Sequence, residues 1–209
     1  MLENIISVAS SSHIAVLTLG YLFGSIPFGL VITRFAGLGD IRKIGSGNLG
    51  ATNVLRTGKK KLALLTLLLD AGKGGLVIVI VHYFFHDSGK ESELSIFAGI
   101  AAVIGHNFPV WMRFQGGKGV ATTLGTLLVI AWPVGLATCI TWVIVAAISR
   151  YSSLSAIISL IASPFYALYL DREEVFVLAS FLAILVIVRH HENIRKLITS
   201  REQKIGAAK

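Results

Sequence analysis

The chain of 209 residues is 54% hydrophobic and only 14% charged, against about 25% charged in an average soluble domain. No Asp, Glu, Lys or Arg occurs between Asn4 and Thr33 or between Gly119 and Ser149, and apolar runs of that length read as transmembrane helices. The formal charge of +8 would suit nucleic acid in a soluble chain, but in a membrane protein it follows from the positive-inside rule, so no nucleic-acid partner is expected.

The first apolar run follows Glu3 with no Lys or Arg before it, which argues for a retained span rather than a signal peptide. Further candidate spans cover 61–85, 94–111, 152–170 and 174–190, after a first at 13–33. The uncharged run 119–149 is too long for one crossing: as a single helix it would measure about 46 Å, against a bilayer core of about 30 Å. A turn at Trp132-Pro133 divides it into two short helices. With the N-terminus outside, the inner segments then hold 16 of the 19 Lys and Arg. The outer ones hold Lys90 and Arg172 against seven acids. Treating the run as one span moves Arg150 and the basic tail outside and breaks the bias. The expected fold is therefore an all-α integral membrane protein with seven transmembrane helices. The N-terminus is outside, the C-terminus cytoplasmic, and 1–209 form a single domain. Cys139, the one cysteine, lies in apolar sequence and excludes both a disulfide framework and a cysteine metal site.

"GSGNLGATNVLR", residues 45–56, matches G-x-G-x-x-G, with Asp70 further on. A dinucleotide fingerprint needs a strand before it and a helix after it in a parallel sheet. A loop between two membrane helices does not provide that context. Gly45, Gly47 and Gly50 instead permit a backbone that aims N–H groups into one concavity, with Ser46, Asn48, Thr52 and Asn53 as side-chain donors and Arg56 as a cation. That set suits a phosphate. A second stretch, "FQGGKGVATTLG" (114–125), is not a Walker loop, because Gly119 follows the lysine. It does place Gly116, Gly117, Lys118 and Gly119 at a helix N-terminus, where free amides and the dipole attract anions. "RYSSLSA" brings Arg150, Ser152 and Ser153 to the same membrane face. "RHHENIRKL" adds His190, Glu192 and Asn193 at helical spacing.

Three features are weaker. His82 and Asp87 form the His-x-x-x-x-Asp pattern of many glycerolipid acyltransferases, but the topology puts them on the outer face, where a surface loop explains them. His106, at the inner end of the third span, reads as a satisfied helix-end histidine. Asp70 and Lys73 lie within a span at i,i+3, which fits either a neutralised structural pair or a contribution to a site.

"GSIPFG" (24–29), "GSGNLGATNVLR", "LLDAGKG", "GHNFPVWMRFQGGKGVAT" and "RHHENI" occur in one order over residues 24 to about 197. Together they resemble the motifs of the bacterial acyl-phosphate:glycerol-3-phosphate acyltransferases (PlsY-type). Gln115, where a basic residue is common, and His191 are minor departures. The resemblance implies a seven-helix inner-membrane enzyme of phospholipid biosynthesis with a cytoplasmic active site. Its substrates would be acyl phosphate and glycerol 3-phosphate, and its products 1-acyl-glycerol 3-phosphate and inorganic phosphate. It implies phosphate and substrate contacts at Ser46, Asn48, Arg56, Lys118, Ser153, His190 and Asn193. The expected catalytic residues are Lys118, Arg56, Ser46 and Asn193. Asn48, Gly47, Gly50, Gly116, Gly117, Gly119, Ser153 and His190 are the expected binding residues. Neither a cofactor nor a metal is expected, and membrane lipid surrounds the chain. A transporter for an organic phosphate is the rival class, but transporters bind near the midplane. Here only Asp70 and Lys73 lie so deep. A phosphatase would need a nucleophilic His or a metal cluster, and no such arrangement is visible in the sequence.

Overall fold

The computed structural model describes residues 11–206. Ten α-helices follow in chain order: α1 (Ser11–Gly24), α2 (Phe28–Phe35), α3 (Ala51–Leu55), α4 (Lys60–Phe85), α5 (Glu91–Asn107), α6 (Val120–Ile130), α7 (Trp132–Ser149), α8 (Ser152–Tyr169), α9 (Glu173–Arg189) and α10 (His191–Ile198). Single 3₁₀ turns occur at Ile41–Lys43 and Val110–Met112.

Pro27, which has no N–H to donate, stands in the break between α1 and α2, and Ser11–Phe35 forms one apolar unit of 25 residues. Counting that unit, five segments are long and apolar enough to cross a membrane, and α9 with α10, bent by 63°, makes a sixth. The run 119–149 divides at Ala131, which leaves the helical region at φ −147°. Pro133 then falls in the first turn of α7, where its missing N–H costs nothing. The resulting α6 has 11 residues and measures about 16 Å, half a bilayer core. So α6, expected as one of two short helices, is a half-length helix, and the described residues of this multi-pass membrane protein hold it beside six lengths able to cross. The segment carrying Glu3, expected outside, lies outside the described residues.

Helix contacts are made by small residues, as suits a bundle with no hydrophobic drive between lipid-facing helices. A Cβ on Gly24 of α1 would lie 2.1 Å from the Ala102 carbonyl of α5, and one on Gly125 of α6 would lie 2.0 Å from the Ala71 carbonyl of α4. Leu127, Val134, Leu178 and Leu182 fill the centre between α6, α7 and α9. Leu65, Ile144, Ile148 and Phe165 face outward.

The bundle has two unlike ends. One gathers the loop before α3, the loop before α6, the α7–α8 corner and the tail after α9. The other holds a recess of about 720 Å³ whose walls include His82, Glu91, Asp171 and Glu173, with Ile130 and Ala131 at the end of α6.

Candidate active site

The loop before α3 is organised by Asn53. Its amide donates to the carbonyls of Ile41, Ile44 and Asn48 at 2.8–3.1 Å. Its Oδ1 accepts from the Ser46 amide at 3.0 Å and from the Ser46 hydroxyl at 3.3 Å. Asn53, read from the sequence as a donor to ligand, is thus the buried hub of the loop. The tight turn needs Gly47 at φ +71°, with its amide donating to Ile44. Gly47 shapes the loop and is absent from the cavity wall, whereas Ser46, Asn48, Gly50 and Arg56 line it. The Arg56 guanidinium is held below its usual pKa by burial, partly offset by the Glu202 carboxylate.

The second loop differs from expectation in a similar way. The Gly116 amide donates to the Asn107 carbonyl at 3.1 Å, and the Gly117 amide to the His106 carbonyl at 3.0 Å. Those two N–H groups are therefore spent on the end of α5 and do not face the cavity. Close approach explains the glycines: a Cβ on Gly117 would lie 2.1 Å from His106 Nε2. The Arg189 guanidinium caps the loop from outside, donating to the carbonyls of Gly116 and Gly117 at 3.1–3.2 Å. The amides of Lys118, Gly119, Val120 and Ala121 have no partner among the described residues, and all four residues line the cavity. They form the N-terminus of α6, where the helix dipole attracts an anion.

Lys118 donates to Asn193 Oδ1. Burial lowers its pKa to about 8; Lys196 and Arg189 add to the fall, while Glu202 and Glu192 oppose it. His190 sits at the bend between α9 and α10, 3% exposed, with Nδ1 2.7 Å from the Val186 carbonyl. A carbonyl only accepts, so Nδ1 carries the proton. In the neutral ring Nε2 is then an acceptor.

The tail supplies a residue that motif and spacing do not reveal. Glu202 Oε1 accepts from Ser153 at 2.8 Å and from Asn193 at 2.7 Å. It is held there because the Ile205 amide donates to the Arg150 carbonyl at 2.6 Å. Ser152 meets Thr52 at 3.0 Å and ties the α7–α8 corner to the first loop. Glu192 faces a separate surface groove with Arg195 and Lys196.

The loop before α3, the start of α6, the α7–α8 corner, the α9–α10 bend and the Glu202 tail enclose one cavity of about 600 Å³. At its polar end stand Ser46, Asn48, Arg56, Lys118, Ser153, His190 and Asn193. Its other end is an apolar groove between α4, α6 and α7, formed by Leu64, Leu67, Leu68, Leu124, Leu128, Cys139 and Trp142. Leu64 and Leu68 are more than half exposed, so the groove opens sideways toward lipid. A cationic head pocket continuous with an apolar trough fits an anionic amphiphile.

The His82/Asp87 pattern is not part of this site. His82 pairs with Glu91 at 2.7 Å, and Asp87 with His86 at 2.9 Å. His82 lies 22 residues along α4 from Lys60, about 33 Å away. Asp70 and Lys73 do pair, at 3.0 Å. His106, expected to be satisfied, is buried with Nδ1 3.7 Å from Asp70 and no hydrogen bond.

The family described as glycerol-3-phosphate acyltransferase matches residues 14–200. A glycerol-3-phosphate acyltransferase of Paramagnetospirillum magneticum is 59% identical over 91% of this chain and 92% of its own. That of Rhodospirillum rubrum is 55% identical over 91% and 89%. Crystal structures of PlsY, an integral membrane glycerol 3-phosphate acyltransferase, are also similar. The glycerol 3-phosphate form is 37% identical with a TM-score of 0.85, covering 94% of this chain and 96% of that one. The lysophosphatidic acid form is 36% identical with a TM-score of 0.84 over the same shares.

Proposed function

The chain belongs to the glycerol-3-phosphate acyltransferase family, and on that premise we propose that it moves a fatty acyl group from acyl phosphate to the 1-hydroxyl of glycerol 3-phosphate. The products are 1-acyl-glycerol 3-phosphate and inorganic phosphate. The observation that carries this reading is the single cavity in which two cation-bearing loops meet one apolar groove. Two phosphorylated substrates require two anion contacts, and only one of them has a tail for the groove.

An acyl phosphate is a mixed anhydride and arrives activated, so the protein has to position and stabilise rather than form an acyl-enzyme. The surroundings of Ser46 agree: its hydroxyl meets the amide oxygen of Asn53, which is no base. The acyl chain lies in the groove with its phosphate beside Lys118 and the free amides of α6, and the phosphate of glycerol 3-phosphate lies beside Arg56 and the Ser46–Asn48 loop. The acceptor hydroxyl is oriented by His190 Nε2. As the hydroxyl oxygen attacks, the C–O bond forms, and the carbonyl oxygen gains charge within reach of those donors. The carbon–oxygen bond to phosphate then breaks. The departing phosphate, which takes a proton near a pKa of about 6, accepts the hydroxyl proton.

No bridging metal is part of this reading: Arg42 and Arg34 hold Asp40, Glu202 is engaged by Ser153 and Asn193, Glu192 faces another groove, and Asp70 in the cavity wall pairs with Lys73. The reading includes seven crossings of a bacterial inner membrane, N-terminus outside, with the cavity on the cytoplasmic face. It is supported by α6 running alongside α4 from the cavity end toward the His82 end. Single cysteines at Ser88 and Ser200 in a Cys139→Ser background should label from opposite sides, and equal protection would sink the topology. For the reaction, purified protein with acyl phosphate and glycerol 3-phosphate should release one phosphate per lysophosphatidate, acylated at the 1-position. Phosphate release without the lipid, or acylation at the 2-position, would refute it.

A further inference from the structure

Beneath the two loops lies a buried polar group that the reaction scheme does not use. Asp70, Lys73 and His106 are 2%, 4% and 8% exposed. The Lys73 ammonium donates to the Ile26 carbonyl at 2.8 Å, pairs with Asp70 and lies 5.7 Å from the centre of the Phe28 ring. These three side chains border a small chamber of about 10 Å³, with Ser25, Gly29, Leu49 and Pro109 among its other walls. That is room for about one water. Ser25 Oγ and His106 Nδ1 have no hydrogen-bond partner among the described residues, and Asp70 Oδ1, paired with the Lys73 ammonium at 3.0 Å, keeps a lone pair for a further donor. Two orphaned polar atoms and that carboxylate oxygen around a one-water space supply the two to four partners that an internal water needs.

The chamber also touches both loops. Leu49, in its wall, belongs to the first loop, and a Cβ on Gly29 would lie 1.8 Å from the Leu49 carbonyl. His106 holds the second loop: its carbonyl accepts from Gly117, and its ring fills the space that a Gly117 side chain would need. Asp70 and His106 line the reaction cavity as well. An ion pair alone would need neither the extra chamber nor the contact with both loops.

We propose that Asp70, His106 and one water in this chamber, with Lys73 neutralising Asp70, form a positioning unit that sets Lys118 relative to the Ser46–Arg56 loop. The unit touches no reacting atom. Asp70 and the water fix the His106 ring, and the ring fixes Gly117 and therefore the lysine that follows it. The inference rests on Lys118 contacting substrate phosphate, as set out above. A displacement of about 1 Å at a reacting geometry costs about 100-fold in rate.

The experiment is a double-mutant cycle between Asp70→Asn and Lys118→Ala, read as kcat and KM for both substrates in detergent-purified protein. The thermal midpoint of each variant is measured alongside. Asp70→Asn should lower kcat about 100-fold, with each KM changed by less than about threefold. In a Lys118→Ala background the same substitution should have little further effect, because it acts through that lysine. A double variant Asp70→Leu, Lys73→Met removes the charges together and should restore the midpoint without restoring kcat. Should Asp70→Asn not fold, His106→Gln enters the same cycle with the same expectation.

The outcomes separate. Full activity of Lys118→Ala would refute the underlying reading of the lysine. An impaired Lys118→Ala in which the Asp70 effect multiplies in full would overturn the positioning unit and leave that reading standing. Recovery of kcat in the charge-free double variant would reduce Asp70 and Lys73 to a structural pair, and would also overturn it.

Discussion

Lys118 is the residue whose removal has the most closely defined cost. It stands at the N-terminus of α6, below the surface, bonded to Asn193 and set among four free amides. Removing one preorganised donor of this kind costs about 10²–10³ in kcat, or about 2.7–4 kcal/mol. Lys118→Ala should therefore lose at least about two orders of magnitude. Its pKa adds a signature that a structural lysine would lack. Burial brings the free enzyme's ammonium to about 8, so it is charged below that pH and loses its proton above it. kcat/KM, which reports the free enzyme, should fall as pH rises through about 8. In the complex, a bound phosphate restores the charged form, so the limb in kcat should lie at higher pH. Lys118→Arg, which stays charged, should abolish the limb even if its absolute rate is low. The assay is initial lysophosphatidate formation between pH 6 and 10, corrected for spontaneous hydrolysis of the donor. Near-normal activity of Lys118→Ala at equal protein level would refute the reasoning, as would the same limb in Lys118→Arg.

Other expectations follow from the same geometry. His82→Ala should keep activity within about twofold, because His82 only pairs with Glu91 in the far recess, whereas Arg56→Ala should be severely impaired. The reverse, in the same membrane assay, would move the site to the other end of the bundle. Glu202→Ala removes the shared acceptor of Ser153 and Asn193. It should lower stability by about 1.5–3 kcal/mol in denaturant titration and reduce turnover as well. An unchanged midpoint would show that the tail is not anchored there. Cys139→Ser should be fully active, whereas Cys139→Trp should narrow the groove and favour shorter acyl donors. A chain-length profile unchanged by the tryptophan would place the tail elsewhere.

Charge and hydropathy made the membrane class and the division of 119–149 legible, because both are local properties of the chain. The turn appears at Ala131, next to the expected Trp132-Pro133, since proline marks the start of a helix more sharply than the residue before it. Of the two short helices expected there, only α6 is short; α7 at 18 residues is long enough to cross, because it begins at Trp132 and runs to Ser149 without a break. Ser46, Asn48, Arg56, Lys118, Ser153, His190 and Asn193 converge as expected. Gly116 and Gly117 were assigned the right neighbourhood and the wrong role. Glycine density shows that a backbone comes close to something, and that something is His106 rather than a ligand. Asn53 looked like one more polar loop residue, but its three carbonyl partners are set by the loop's own path. Glu202 was invisible as a site residue because a contact between Ile205 and Arg150, 55 positions apart, brings it in.

The most direct test of the central claim, a direct transfer between two phosphate-held substrates, is the choice of donor. Initial rates with acyl phosphate and with the acyl-coenzyme A of the same chain are compared in one preparation, with glycerol 3-phosphate saturating and chelator in excess. Full activity with acyl phosphate under chelation is the predicted result. Rates with the thioester should be far lower, because it lacks the acyl-linked phosphate that Lys118 and the α6 amides are placed to hold. Equal use of the coenzyme A ester, or loss of transfer on chelation, would contradict direct transfer.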